Sequence, residues 1–175
     1  MGNAADTLVR KHPTRIAQLQ GPVLAYLSMI SQNTPFNGTE QDLYMAVFYP
    51  AYRRVNINTQ FPDRVKKSNP GINSPADYVA LVNKPRKTVT LTAAEEKALK
   101  KTASELNLPV EPLRRLINFE SLWNPQAKNP KSGARGLIQF IPSTAEGMGY
   151  KATIGAGTVM LCLAIGYIIF KKSRG

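Results

Sequence analysis

Glu120 is the residue in this sequence best placed to do chemistry. In VEPLRRLINFES, residues 110–121, Leu113, Leu116, Ile117 and Glu120 fall on one helical face at the spacing i, i+3, i+4, i+7. A carboxylic acid that ends an otherwise apolar stripe is predicted to be at least partly buried, and burial disfavours its charged form. Such an acid still holds its proton near neutral pH, the condition for general acid catalysis. Other chemistries lack their parts. His12 stands alone in RKHPTR and reads as a solvated residue near the terminus, while Cys162 is the single cysteine. A histidine-based triad, a cysteine zinc site and an intrachain disulfide are therefore excluded, and no metal or cofactor is expected. The nearest other acid, Glu146, should lie a helix away.

The elements that must position Glu120 can be read outward from it. Thr92 and Glu95 form the T-x-x-E pattern of a capping box, which predicts a helix from there to about Leu106, broken by NLP before the helix that carries Glu120. Upstream, Ile16, Leu19, Val23, Leu27 and Ile30 predict an amphipathic helix over residues 14–32, bent or restarted at Gly21-Pro22. TEQDLYMAVFYPAYRRV predicts a second helix that opens at Thr39 and that Pro50 ends or kinks. Residues 56–75, rich in Asn, Pro, Lys and Ser, read as irregular surface, and PADYVALV as a short helix with Pro75 in its first turn. NKPRKTVTL, residues 83–91, reads as a connector.

The chain has 175 residues, room for one ordinary domain and an appendage. With 23 Lys and Arg against 11 Asp and Glu, its net charge of +12 favours a polyanionic partner: nucleic acid, anionic lipid or acidic wall polymer. The basic clusters are scattered and match no nucleic-acid reading motif, so a specific nucleic-acid partner is not expected. From residue 152 to 170, ATIGAGTVMLCLAIGYIIF carries no charge, long enough as a helix to cross a hydrocarbon core of about 30 Å. This predicts a transmembrane helix in contact with lipid, followed by a basic tail, residues 171–175, whose Lys171, Lys172 and Arg174 place it on the cytoplasmic side. The first fifteen residues have no apolar run, so a cleavable secretory signal is not expected.

From Glu120 onward the residues resemble the lytic transglycosylases, the lysozyme-like peptidoglycan-cleaving family. ESLWNPQA matches the family's Glu-Ser followed by Asn-Pro, SGARGLIQF its Gly-Leu-Met-Gln with Ile138 in place of Met, and IPSTA its Pro-x-Thr-Ala. Three motifs in order over some thirty residues make a specific match. The resemblance implies a single catalytic acid, Glu120, which protonates the leaving glycosidic oxygen and then takes the proton of the muramyl C6 hydroxyl, so that an anhydro-muramyl end forms. Substrate-assisted schemes of this kind need one carboxylate rather than two. Ser121 and Gln139 would orient Glu120 and the sugar, and Gly133 and Gly136 would let backbone approach the glycan; an ordinary turn is the equal alternative for the glycines.

The family's domain continues past this point, with an Ala-x-x-Tyr-Asn-x-Gly segment whose Tyr holds the acid and the sugar. Nothing after Tyr150 matches it, whereas upstream Ala46 and Tyr49 align with its Ala and Tyr, and Pro50 replaces the Asn. The expected fold class is accordingly mainly α: a circularly permuted lysozyme-like transglycosylase domain plus one C-terminal transmembrane helix. Residues 1–82 would be the family's usual second half, 83–91 the connector and 92–150 the usual first half. Tyr49 is then expected to line the active site beside Glu120; a plain core aromatic is the alternative. The function implied is cleavage of the MurNAc–GlcNAc bond of peptidoglycan strands by a virion-associated protein as a phage genome enters its host. The expected place is a viral membrane among other virion membrane or capsid proteins, or else the bacterial inner membrane with the domain facing the periplasm. Two other functions stay open: a muramidase that hydrolyses the same bond, and a non-catalytic glycan-binding or structural virion protein.

Overall fold

In a computed structural model that describes residues 2–153, every regular element of the described residues is helical apart from isolated antiparallel bridges, in agreement with the expected mainly α class. The predicted membrane span falls almost wholly, and the basic tail wholly, outside the described residues. None of the described helices is long and apolar enough to cross a membrane.

The Glu120 helix sits at the centre. It follows α7 (Ala93–Glu105), which opens as expected on a capping box: Thr92 Oγ1 accepts from the Glu95 amide at 3.3 Å, and Glu95 accepts from the Thr92 amide at 2.8 Å. Asn107, at φ 52°, ends that run; the Leu108 amide reaches back to Ala103 O and the Asn107 amide to Ser104 O, a Schellman closure. The next helix, α8 (Val110–Ser121), begins directly after Pro109 and buries Leu113, Leu116 and Ile117 completely. Two helices from upstream pack on it, α4 (Glu40–Phe48) and α6 (Pro75–Asn83), which also pack on each other. Residues before and after the connector thus share one core, in which Leu43, Tyr44 and Met45 meet the α8 stripe.

Local chemistry explains where these helices start and stop. Thr39 caps α4, and Pro50 ends it at Phe48, leaving a single 3-10 turn, Pro50–Tyr52. Ser74 and Asp77 form a reciprocal capping box at the head of α6. Asp42 of α4 is fully buried and is matched by Arg53: Nε donates at 2.7 Å and Nη2 at 3.2 Å, while Nη1 donates to Ile30 O. The Asn37 amide donates to Asp42 at 2.8 Å, and the more exposed Arg54 stands 3.7 Å from the same carboxylate. This buried pair ties the loop before α4 to the turn after it.

The N-terminal elements form a second layer: α1 (Ala4–Lys11), α2 (Arg15–Gln18), a π-type turn over Leu19–Val23, and α3 (Leu24–Ser31). The expected break falls at Gly21, whose φ of −106° and ψ of −105° are not helical. A Cβ there would lie 2.9 Å from the His12 ring. His12 is therefore not the solvated residue expected: its Nε2 bonds the Tyr150 hydroxyl at 2.9 Å, and burial, helped by the charge of Lys11, holds its pKa below the usual value. Within residues 56–75, expected to be irregular, a short helix α5 (Asp63–Ser68) forms instead. Asp63 in its first turn and Lys66 and Lys67 in its last complement the helix dipole. The last described helix, α9 (Pro142–Gly147), packs against α1. Thr153 follows it and closes on the first residues: its amide donates to Gly2 O at 2.9 Å and Arg10 donates to its hydroxyl at 3.0 Å.

Candidate active site

Glu120 lies in the last turn of α8, and the backbone turns sharply behind it. Leu122 and Trp123, with φ of 50° and 59°, are consecutive left-handed residues, which L side chains adopt at a cost. Burial of the Trp123 indole, 1% exposed, and the 2.7 Å bond from Arg15 Nε to Trp123 O hold the turn in place. It sends the chain away from the helix axis into the groove wall, residues 124–141, whose short bridges pair Arg135 with Lys128 and with Phe140.

The acid has one side-chain partner. Tyr78 Oη, from α6, donates to Glu120 Oε1 at 2.5 Å. The Tyr78 ring is 2% exposed, stacked on Phe48 at 4.3 Å and met edge-on by Phe119 at 5.6 Å. These rings strip water from the carboxyl, and desolvation pushes the Glu120 pKa up to about 7. The Tyr78 hydroxyl acts in the opposite sense and less strongly, since it stabilises the anion. Burial first, then the neighbouring Glu120 charge, push the Tyr78 phenol well above its usual value, so it stays a donor throughout the neutral range.

Part of Glu120 remains open to two adjoining cavities. One, of 360 Å³, is bounded by Val47, Phe48, Phe119, Ile138, Gln139 and Ile141; the other, of 550 Å³, by Ser121, Leu122, Lys128, Lys131 and Gln139. The first continues past Gln139 and Phe48 to Tyr49 and Pro50, and then to Arg64 and Asn69. Glu120 is the one acidic residue lining this groove among the described residues. Glu146 is exposed on α9 and does not reach it. A separate cavity of similar volume beneath the connector, beside Val89, Arg115 and Asn118, shares no residue with the groove. No cluster of metal-ligating side chains occurs among the described residues.

The residues singled out in the sequence take different places. Glu120, Ser121 and Gln139 come together at the groove, with Ser121 Oγ donating to Ile117 O and Gln139 Nε2 to Gly136 O. Gly136 is buried. At φ 79°, a Cβ on it would sit 2.6 Å from Gln18 Oε1, the atom that accepts the Leu137 amide, so this glycine makes room for Gln18 rather than for a ligand. Tyr49 does line the groove, but it is not the phenol on Glu120. Pro50 ends α4 at Phe48 and turns Tyr49 off the helix, where its hydroxyl accepts from Arg64 Nη2 at 2.9 Å and its ring packs on Tyr52 and Phe61. The partner expected of Tyr49 is supplied by Tyr78. Its sequence signal is faint: a Tyr and Val82 four residues apart, on a helix whose N-terminus Ser74, Pro75 and Asp77 mark.

No curated protein and no solved structure matches the chain. Residues 97–160, which hold Glu120, Ser121, Gly136 and Gln139 but neither Tyr49 nor Tyr78, match the family model of the transglycosylase SLT domain.

Proposed function

We propose that the protein is a lytic transglycosylase of peptidoglycan, with Glu120 as its single acid and base. The observation that carries this reading is a desolvated carboxyl, its pKa pushed up to about 7, seated on the Tyr78 phenol in a groove that holds no second carboxylate among the described residues. Glu120 donates its proton to the glycosidic oxygen as the MurNAc–GlcNAc bond opens, and the substrate's N-acetyl group stabilises the cation that develops. The carboxylate, held by Tyr78, then removes the proton of the C6 hydroxyl as that oxygen closes on C1. Gln139 and Ser121 flank the reacting sugar. Tyr49 contributes a wall further along the groove, and Gly136 supports that wall from behind through Gln18. The reaction needs no cofactor.

A circularly permuted lysozyme-like domain, expected with Tyr49 on the acid, is supported only by Tyr78 in that place: the acid comes from residues 92–150 and this phenol from residues 1–82, with 83–91 between them. The apolar run 152–170 supports a membrane anchor; a place in a virion membrane and a role in opening the wall as a phage genome enters complete the proposal. Mass spectrometry of sacculi digested by the full chain tests the reaction. Anhydro-muropeptides are expected; reducing muramic ends would make it a muramidase, and intact glycan a binding protein.

A further inference from the structure

Arg86 belongs to the connector, 83–91, yet it touches both helices that build the site. Its Nη2 donates to Leu81 O at 3.3 Å, one of the carbonyls that the last turn of α6 leaves without a helical donor. Its Cζ lies 4.8 Å from the centroid of the Phe119 ring on α8, within the range at which a guanidinium is drawn to an aromatic face. Next along the connector, Lys87 O accepts from Asn118 Nδ2 at 3.1 Å, which pins this stretch of chain to α8. Phe119 in turn meets Tyr78 edge-on at 5.6 Å and borders both cavities that Glu120 lines, whereas Arg86 borders the separate cavity beneath the connector. The stacked pair thus stands between that cavity and the groove.

We infer that Arg86 is a positioning residue for the acid: one guanidinium fastens α6 to α8 and holds Phe119 closed over the Tyr78–Glu120 pair. This gives the connector a part in the proposed reaction and rests on Glu120 being its acid. Arg86 works through packing rather than charge. Burial and the Tyr78 bond set the Glu120 pKa, with no contribution from a cation. The titratable and charged groups around the carboxyl are Tyr78 from α6 and Lys128 and Lys131 across the outer cavity; among the described residues α4 brings Val47 and Phe48, and α7 nothing. Around Arg86 stand Lys84, Glu111, Arg114 and Arg115, and Glu111 is bound by Arg114. The sign of the effect follows. Taking a cation away from a carboxylate raises its pKa, whereas loosening a ring that excludes water from it lowers the pKa.

The test follows the Glu120 carboxyl directly, by carbon-13 titration of the glutamate side chains in the full chain, beside the pH dependence of cutting on sacculi. In Arg86→Ala the Glu120 pKa and the alkaline limb of the rate should both fall by roughly half a unit, the scale of one exposed cation–π contact. The half-saturating concentration should not change, because Arg86 lies outside the groove. In Phe119→Leu the fall should be larger, and adding Arg86→Ala to it should change nothing more. Lys84→Ala, at an exposed neighbour on the connector, should leave the titration where it is. Arg86→Gln, which can keep the bond to Leu81 O without the cation, should show a smaller fall of the same sign. A rise in either Arg86 variant would make this residue an electrostatic partner of the acid and overturn the inference. An unmoved pKa, an equal fall in Lys84→Ala, or strictly additive shifts in the double variant would overturn it too. Because the titration needs no turnover, a fall in Arg86→Ala that Phe119→Leu absorbs supports the positioning role even in a chain that cuts nothing, and an unmoved pKa refutes it even in one that cuts.

Discussion

Tyr78 and Glu120, 42 residues apart in sequence, share a hydrogen bond of 2.5 Å in which the phenol donates to the carboxyl. Because that bond favours the charged carboxylate, its removal must raise the Glu120 pKa further above 7. In Tyr78→Phe the alkaline limb of the rate profile should therefore move to higher pH. The maximal rate should fall roughly ten- to hundredfold, the scale of one hydrogen bond to a charged group. Tyr49→Phe should leave the limb where it is. Rates measured from pH 5 to 9 on both variants decide between the two tyrosines, and a limb displaced by Tyr49→Phe alone would reverse the assignment.

Glu120→Gln should abolish cleavage, by a factor of about a thousand or more, and should also reveal a stability effect of definite sign. The folded-state pKa lies above the ordinary value of 4.5. The acid's contribution is thus fully present below pH 4.5 and is lost as pH rises through about 7, where a charge must be carried in a desolvated site. The uncharged Gln escapes that loss. Melting curves should show wild type losing ground to Glu120→Gln between pH 4.5 and 7, with a constant difference above about pH 8.

Breaking the Asp42–Arg53 pair from one side strands a charge in the core, which costs about 3–5 kcal/mol. Arg53→Met should accordingly lower the urea midpoint severely, since Asp42 is 0% exposed. Replacing both residues with apolar ones should cost less than Arg53→Met alone, because no charge is then left buried and Arg54, the other cation on Asp42, is exposed. Equilibrium unfolding in urea gives both values.

Gly136→Ala should destabilise by roughly 2–4 kcal/mol, through a left-handed backbone and a Cβ only 2.6 Å from Gln18 Oε1. In a Gln18→Ser background the steric part should vanish and the backbone part persist, so the double-mutant cycle should show favourable coupling. Strictly additive losses would mean that Gln18 and Gly136 do not press on each other.

What was legible in the sequence is what local pattern encodes. The acid's position followed from the apolar spacing of Leu113, Leu116 and Ile117, and the breaks at Gly21 and Pro50 from backbone chemistry. Thr39, Pro75 and the Thr92–Glu95 box marked the starts of α4, α6 and α7 without any knowledge of the partners these helices would find. Tyr78 was missed for the opposite reason. A phenol that completes a site across two packed helices leaves no periodic trace, whereas Tyr49 sat in a motif-like context that Pro50 had already altered. Gly136 shows a second limit: its left-handed backbone was foreseeable, but the Gln18 amide that fills its missing Cβ comes from the other end of the chain. His12 likewise looked idle, because Gly21 and Tyr150, which enclose it, lie far from it in sequence.

The dependence of Glu120 on Tyr78, Phe48 and Phe119 makes the acid conditional on a finished fold. In an unfolded or partly made chain this carboxyl titrates near its ordinary 4.5 and is a spent anion at neutral pH. Only when α6 docks on α8 and the rings close over it does the side chain keep a proton to give. In the proposed reaction an incomplete chain thus lacks its acid, which the same packing step that stabilises the protein supplies.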